Sequence, residues 1–375
     1  MKKRIFLLAL SISLFPFKSI NATYENTGAS IVINADTREI ISGENYKTTM
    51  GMASTTKIMT AIIAIENASA SDVFTVSLNA QNQEGSSVYL RAGQSITLKE
   101  LLYALMLNSG NDAAMTIAEN VGGSMSDFVA MMNEKALEIG CTNTNFENPS
   151  GLPSDKHYST AYDMALIMAY AMENDFFMEI ISQKEYQLHC ENSITYLKNH
   201  NKLLWQYPHC IGGKTGYTKD SGRCLVTCSE KDDKRVVCVT LNDKNDWQNH
   251  INFSESAFDK IKNVTIVKKY DIITTKKINN IPVNLLAKED ITLSLMNKSK
   301  RNLLCRIELD SISNEDIKVG DKIGVANIYY KDYNIATVSV LSGRNIKSQP
   351  ENVFGENFNY ILEQFLLKNK DIRKK

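Results

Sequence analysis

The spacing of hydrophobic residues divides this 375-residue chain into two regions. Up to residue 262, short alternating stretches stand between longer segments with helical spacing, whereas residues 263–344 show alternation alone. Alternation is the period of a half-buried strand, and recurrence every three or four residues is that of a helix. The pattern therefore predicts a mixed helix-and-strand region followed by a small all-β region.

Capping and turn residues place the elements of the first region. Thr97 to Glu100 has the form of a capping box, and Gly140 is typical of a helix end. Helices are predicted at 57–67, 97–107, 113–120, 126–139, 159–172 and 254–262, and strands at 29–35, 38–42, 74–77, 88–90, 223–229 and 235–241.

The two ends of the chain have their own patterns. Residues 1–22 combine a basic start, a short apolar run and a small residue at Ala22, which predicts a cleaved export signal rather than an uncleaved anchor. Near the C-terminus, apolar residues from Phe354 to Leu366 recur at helical spacing before a basic tail. This predicts an amphipathic helix at the membrane surface; a helix packed on its own domain and a frayed tail are the alternatives.

Composition narrows the classes of partner. Lys+Arg and Asp+Glu both number 42, so no nucleic acid or other strongly charged partner is expected. The seven cysteines follow no regular framework, and no zinc spacing is present, so we expect neither a metal nor a cofactor. Cys224 and Cys228 are interpreted as small buried hydrophobic residues, and a Cys228–Cys238 disulfide stays open.

Ser54 and Lys57 form a candidate nucleophile and base at the start of a helical segment. A serine needs a base to take its proton, and a buried lysine beside another cation can be neutral enough to do so. Three residues apart, the two side chains share one helix face. Alone, the pair is more typical of a capping serine and a surface lysine than of a nucleophile and its base.

Two further motifs follow in order, Ser109-Gly110-Asn111 and Lys214-Thr215-Gly216. Each alone could be a helix end or an ordinary strand edge. The ordered set S-x-x-K, S-x-N and K-T-G is a known signature of penicillin-binding proteins and class A β-lactamases.

The chain resembles the low-molecular-weight penicillin-binding proteins, the serine D-Ala-D-Ala carboxypeptidases. Beyond the motifs, the segments that carry the resemblance are 109–114, 148–152, 157–161, 201–205 and 214–218. The resemblance implies an α/β (α+β) transpeptidase-like domain with an antiparallel sheet flanked by helices, plus a small all-β C-terminal domain. The expected boundaries are 1–22 for the signal, 23–262 and 263–348 for the two domains, and 349–375 for the tail.

The resemblance also implies roles for the residues of the reaction. Ser54 would attack the carbonyl of the penultimate D-alanine, and neutral Lys57 would accept its proton. Ser109 would relay a proton to the departing D-alanine. Asn111 would hold the substrate amide or Lys57 in place.

The third motif is expected to bind substrate. Lys214 would lower the pKa of Lys57 and, with Thr215, bind the terminal carboxylate. The N–H groups of Ser54 and Tyr217 would form the oxyanion hole. Gly216 would let a ligand backbone approach. His157 is expected to be structural, as are Asn201, Lys202 and Trp205.

The function that follows is removal of the terminal D-alanine from peptidoglycan stem peptides outside the cytoplasm, with β-lactams as inhibitors. A DD-endopeptidase would use the same chemistry. A class A β-lactamase would want a further glutamate, for which 109–214 holds no convincing Glu-x-x-x-Asn. A wall-binding or spore-associated protein without activity is the non-enzyme alternative.

Overall fold

The computed structural model describes residues 28–190, 193–296, 302–310, 316–347 and, as backbone only, 361–364. The helices in these ranges are α1 (Lys57–Asn67), α2 (Leu78–Gln81), α3 (Leu98–Leu107), α4 (Asn111–Gly122), α5 (Met125–Ile139), α6 (Ala161–Ala171), α7 (Asp175–Ser182), α8 (Leu203–Gln206) and α9 (Asp246–Lys260). The strands are β1 (Ala29–Asn34), β2 (Ile40–Glu44), β3 (Val73–Thr75), β4 (Ser95–Thr97), β5 (Glu185–Cys190), β6 (Ser193–Lys198), β7 (Cys210–Thr218), β8 (Gly222–Lys231), β9 (Lys234–Leu241), β10 (Ile261–Val267), β11 (Ile272–Ile278), β12 (Ile281–Ala287), β13 (Ile291–Met296), β14 (Leu303–Leu309), β15 (Lys322–Tyr330), β16 (Tyr333–Ser342) and β17 (Ile361–Gln364).

A five-stranded antiparallel sheet in the order β2-β1-β9-β8-β7 forms the centre of the first region. Ile31 and Ile33 of β1 pack in the large helical core, whereas Val32 packs with Phe258 of α9. Successive side chains of a strand point to opposite faces, so each face of the sheet is covered by helix. This burial on two faces explains why β1, β8 and β9 read as nearly continuous hydrophobic runs.

The helical layer is built around α1, which contacts α3, α4, α5 and α6. It is buried from Lys57 to Ala64, and a helix buried on all sides is expected to be apolar all round. Lys57 is therefore an exception that its position must explain. The neighbouring helices α3, α5 and α6 begin at hydroxyl caps, as where Thr160 Oγ1 accepts from Asp163 N at 3.0 Å.

The second region is all β, as the alternation predicted. A six-stranded sheet in the order β11-β12-β16-β15-β14-β17 lies beside the pair β10–β13. Their inward side chains, including Val283, Leu285, Val338 and Val340, form a separate hydrophobic core. The two regions meet near the β1–β2 turn, where Tyr330 OH donates to Glu39 Oε1 at 2.5 Å.

Two predictions about strands and caps need correction. Residues 88–90 form no strand, because the N–H groups of Val88 and Leu90 donate to the Asp112 carboxylate instead of a partner strand. Thr97 does cap α3, but Glu100 does not complete the capping box. Its carboxylate accepts from Tyr186 OH and His189 N of the β5–β6 hairpin.

The Cys228–Cys238 disulfide does not form, and every cysteine is a buried free thiol. Cys228 lies opposite Val237, and Cys238 lies opposite Thr227. Residues one step apart in register face opposite sides of the sheet, so the two sulfurs belong to different cores.

The last helix of the first region begins at Asp246, earlier than predicted. Its buried face holds polar residues such as His250, whose ring nitrogens bond Thr227 and Thr240, so hydrophobic spacing missed it. At the C-terminus, β17 pairs with β14, which contradicts a helix at that point. The unpaired edge of β14 offers backbone groups that a short apolar segment can satisfy as a strand. The other tail residues lie outside the described ranges.

Candidate active site

Ser54 lies in a 3₁₀ turn, Ala53–Thr56, directly before α1. Two hydroxyls brace this turn, since Thr55 Oγ1 donates to Met52 O at 2.6 Å and Thr56 Oγ1 donates to Ala53 O at 2.9 Å. No side chain caps α1, so the capping role considered for Ser54 is wrong. The Ser54 hydroxyl is half-buried and free for another partner.

That partner is Lys57, whose Nζ lies 3.1 Å from Ser54 Oγ. Nζ also contacts Asn111 Oδ1 at 2.7 Å and the Ser150 carbonyl at 2.6 Å. Burial above all, and then the charge of Lys214, hold the pKa of Lys57 well below its usual value, against an opposing effect of Asp112. A neutral amine has two hydrogens and one lone pair. Two carbonyl-type acceptors take the hydrogens, so the lone pair is left for the Ser54 proton.

Ser109 and Lys214 form the second half of the site. Lys214 Nζ donates to Ser109 Oγ at 3.1 Å and to Thr215 O at 2.8 Å. Both side chains are buried, and burial lowers the pKa of Lys214 to about 7. Ser109 has a positive φ of 60°, an uncommon conformation for serine that turns the chain between α3 and α4.

Strand β7 lies at the edge of the sheet, so a ligand can pair with its outer side. Thr215 on this strand is half-buried and Tyr217 is exposed. A Cβ at Gly216 would lie 3.0 Å from Ser54 N and 3.1 Å from Ala53 Cβ. The absent side chain therefore lets β7 pack against the Ser54 turn itself, a reason beyond the ligand approach expected from sequence.

The loop after Phe146 supplies residues that sequence reasoning did not assign to the site. Asn148 Oδ1 accepts from the N–H groups of Ser150, Gly151 and Leu152, and this fixes the Ser150 carbonyl toward Lys57. Gly151 has φ 88°, and a Cβ there would lie 2.0 Å from Ala53 O. The Asn-Pro-Ser-Gly segment, which contributes to the family resemblance, was the available sequence signal for these residues, although the motifs assign it no role in the site.

Asp112 was also missed, although it directly follows Asn111. It is fully buried, and its carboxylate accepts from Ser87 Oγ at 2.6 Å and from the N–H groups of Val88 and Leu90. These bonds hold the 84–90 loop against the start of α4. Asp112 therefore positions the wall of the site and does not contact Lys57 directly.

His157 supports the turn, in agreement with the structural role expected for it. Glu147 N donates to its Nδ1 at 3.0 Å, so Nε2 carries the hydrogen that is donated to Thr56 Oγ1 at 2.8 Å. Burial lowers the pKa of His157 to about 4, and the ring stays neutral.

The comparisons with known proteins agree with this geometry. Residues 18–245 match the family described as D-alanyl-D-alanine carboxypeptidase, and residues 262–348 match the C-terminal domain of penicillin-binding protein 5. This chain belongs to the D-alanyl-D-alanine carboxypeptidase family. The resemblance drawn from the motifs is thereby confirmed, as is the serine-hydrolase class that it implied.

Two relatives in this family come from different bacteria. D-alanyl-D-alanine carboxypeptidase DacF of Bacillus subtilis is 33% identical over 246 residues, which cover 63% of each chain. DacC of Escherichia coli is 28% identical over 93% of this chain and 90% of its own length. The chain thus matches just under two thirds of DacF and most of DacC.

Solved carboxypeptidase structures show the same fold. DacD of Francisella tularensis superposes with a TM-score of 0.61 at 24% identity, covering 93% of this chain and 98% of its own. The Mycobacterium tuberculosis enzyme gives 0.59 at 29% identity, over 62% of this chain and 90% of its own. The predicted α/β domain with a β-rich C-terminal region is confirmed.

Proposed function

We propose that this chain removes the C-terminal D-alanine from peptidoglycan stem peptides that end in D-Ala-D-Ala, through an acyl-enzyme on Ser54. The observation that carries the proposal is the 3.1 Å contact of Ser54 Oγ with a buried Lys57. The other bonds of Lys57 leave its lone pair for the serine proton. General-base assistance of this kind typically contributes about 10²–10⁴-fold to a rate.

Acylation begins as the Ser54 proton moves to Lys57 Nζ and Oγ attacks the penultimate carbonyl. The N–H groups of Ser54 and Tyr217 stabilise the oxyanion, each such donor being worth about 3 kcal/mol of barrier. The C–N bond then breaks. Ser109 gives its hydroxyl proton to the leaving amine and regains one from Lys214, to which it is hydrogen-bonded.

The terminal carboxylate of the substrate binds at Lys214 and Thr215 on the open edge of β7. Water then attacks the ester and gives one proton, through Ser109, to Lys214, which acylation left neutral. Lys57 returns its proton to Ser54 Oγ as the ester bond breaks, and the D-alanyl peptide leaves. Asn111 holds Lys57 through Oδ1 throughout. Its amide hydrogens face the other way, toward Glu84 O.

The geometry favours slow release of a β-lactam over a β-lactamase activity. A β-lactamase of class A needs a carboxylate that activates the deacylating water. Asp112 is the acid whose charge acts on Lys57, and its oxygens are occupied by Ser87, Val88, Leu90 and Ala113. It is therefore poorly placed to serve as that base.

The test is covalent labelling by a fluorescent penicillin together with D-alanine release from a peptide ending in D-Ala-D-Ala. Wild type and the control Ser71→Ala, an exposed serine remote from the site, should take the label and release D-alanine. Ser54→Ala should do neither. Failure of folded wild type to take the label would contradict the mechanism. Rapid loss of the label would favour a β-lactamase, and cleavage of cross-linked dimers alone would favour an endopeptidase.

We also propose that the enzyme is exported and acts on the extracytoplasmic face of the cell envelope after removal of residues 1–22, with 23–262 as the catalytic domain and 263–348 as the β domain. The tail, 349–375, is proposed to bind an anionic membrane surface through its basic end, Lys368 to Lys375, while Ile361–Gln364 pairs with β14. No helix in the described part of the chain is long and apolar enough to cross a membrane. Flotation with anionic vesicles should require the tail, and equal flotation of a chain ending at Lys347 would refute this.

A further inference from the structure

The catalytic domain and the β domain follow each other without a linker. Helix α9 ends at Lys260, and strand β10 begins at Ile261. Ile261 is 1% exposed and packs in one hydrophobic cluster with Phe258 of α9 and Val32 of β1. Domain boundaries usually fall in exposed, flexible segments that few contacts cross. A boundary residue that is buried in a core restricts rotation of one domain against the other.

A second attachment joins the β15–β16 turn of the β domain to the β1–β2 turn of the catalytic domain. Tyr330 OH donates to Glu39 Oε1 at 2.5 Å. The Arg38 guanidinium carbon lies 4.9 Å from the centre of the Tyr333 ring. Tyr330 is 2% exposed, and a cation over an aromatic ring contributes more to stability when water is excluded. We call Arg38, Glu39, Tyr330 and Tyr333 the Arg38 junction.

Arg38 is itself fixed by two elements of the catalytic domain. Its Nη1 donates to the carbonyls of Ala35 and Asp36, at 2.6 and 2.8 Å. Its Nη2 donates to Ala169 O at 3.3 Å and to the Glu173 carboxylate. Ala169 lies in the last turn of α6, where the helix dipole favours a cation. The side chain is 7% exposed and φ is 56°, an uncommon conformation for arginine that such bonds can hold.

A third attachment connects the β10–β13 pair to two parts of the catalytic domain. Asn34 Nδ2, at the end of β1, donates to Ser294 O at 2.9 Å. Ser294 Oγ donates to Asp233 O at 2.9 Å, and Asn263 Nδ2 donates to Asp232 O at 2.6 Å. Asp232 and Asp233 form the β8–β9 turn. Rotation about any one of the three attachments would therefore break bonds at the other two.

We propose that these attachments, with the Arg38 junction as the main one, join the catalytic domain and the β domain into one cooperative folding unit. Domains that share a small interface generally move and unfold separately. Here the β domain does not unfold while the catalytic domain stays folded, because its unfolding would leave Arg38 and Asn34 without partners in buried surroundings. This inference is independent of the reaction proposed above.

Each domain carries a buried thiol with which its unfolding can be followed. Cys305 lies in the core of the β domain and Cys238 lies in β9 of the catalytic domain, and neither is more than 1% exposed. The experiment is pulsed alkylation of the full chain in increasing urea, with modification of each cysteine measured by mass spectrometry. It gives one unfolding midpoint for each domain.

The deciding comparison uses Val283→Ala, which creates a cavity in the core of the β domain. In the parent chain this change should lower the midpoints of Cys305 and Cys238 together, each by about 0.5 M urea. In an Arg38→Met background it should lower the midpoint of Cys305 alone. Tyr333→Ala acts from the β domain, and should likewise reduce the shift of Cys238 if Arg38→Met fails to fold.

Tyr270→Ala is the matched control, since Tyr270 is an exposed tyrosine of the β domain outside the three attachments. In this background Val283→Ala should still shift both midpoints. A Cys238 midpoint that ignores Val283→Ala in the parent chain would overturn the inference, as would equal shifts of both thiols in the Arg38 and Tyr333 variants. Penicillin labelling without urea identifies preparations with a folded catalytic domain, and neither result affects the carboxypeptidase proposal.

Discussion

Lys57 Nζ lies 2.7 Å from Asn111 Oδ1, which links the helix that follows Ser54 to the helix that follows Ser109. Asn111 is held in turn from the outside, since its N–H donates to Ser86 O at 2.7 Å and its Nδ2 donates to Glu84 O. The base of the proposed reaction is thus positioned by an uncharged acceptor. An amide there orients Lys57 without stabilising its protonated form as a carboxylate would.

Replacing Asn111 by aspartate should therefore shift the pH dependence of acylation. The new carboxylate favours protonated Lys57, so the rising limb of kcat/KM should move to higher pH by about one unit or more. Asn111→Ala removes the acceptor without adding charge, and should slow acylation without that upward shift. Penicillin acylation rates between pH 5 and 10 provide the measurement, and an Asn111→Asp limb coincident with wild type would argue against Lys57 as base.

Lys214 should make stability depend on pH. Burial lowers its pKa to about 7 in the folded protein, whereas the unfolded side chain titrates near 10.5. Between these two pKa values the unfolded chain binds a proton at this side chain that the folded protein does not bind. The free energy of unfolding therefore rises with pH across that window. Below pH 7 the buried charge destabilises the fold.

At pH 6, Lys214→Met should therefore be more stable to urea than wild type, with a free energy of unfolding higher by on the order of 2 kcal/mol. This difference should shrink toward pH 10. The exposed Lys219→Met serves as the control and should show no such trend. A constant difference between Lys214→Met and wild type at all pH values would mean that Lys214 does not change its charge on burial.

Gly216→Ala should reduce activity by about 10²-fold, because the new Cβ pushes β7 away from the Ser54 turn and displaces reacting groups. Gly93→Ala is the matched control, since a Cβ there meets nothing within 4 Å and adds only the strain of φ 84°. Penicillin acylation rates and thermal unfolding are measured on both. Full activity in folded Gly216→Ala would show that the turn can move without loss.

Much of the fold followed from local patterns. The predicted 57–67 helix coincides with α1, the strands around Cys224 and Val237 form as expected, and the alternation beyond residue 262 gives an all-β region. These elements were predictable because each packs one hydrophobic face against a continuous core, so its hydrophobic residues recur with the period of a helix or a strand. Segments stabilised by polar partners were not. Val88 bonds a distant carboxylate, and α9 buries His250, so neither shows the period that its neighbours do.

The sequence by itself determined the order of the three motifs, and with it the family and the residue types available for chemistry. Only the tertiary structure decided the burial, the hydrogen-bond partners and the pKa of these residues. Lys57 is suited to act as a base because folding buries it beside Lys214 and directs two acceptors, Asn111 Oδ1 and Ser150 O, at its hydrogens. These groups lie 54 and 93 residues away along the chain. The pKa of a side chain depends on the solvent and charges around it, and local sequence does not specify those surroundings.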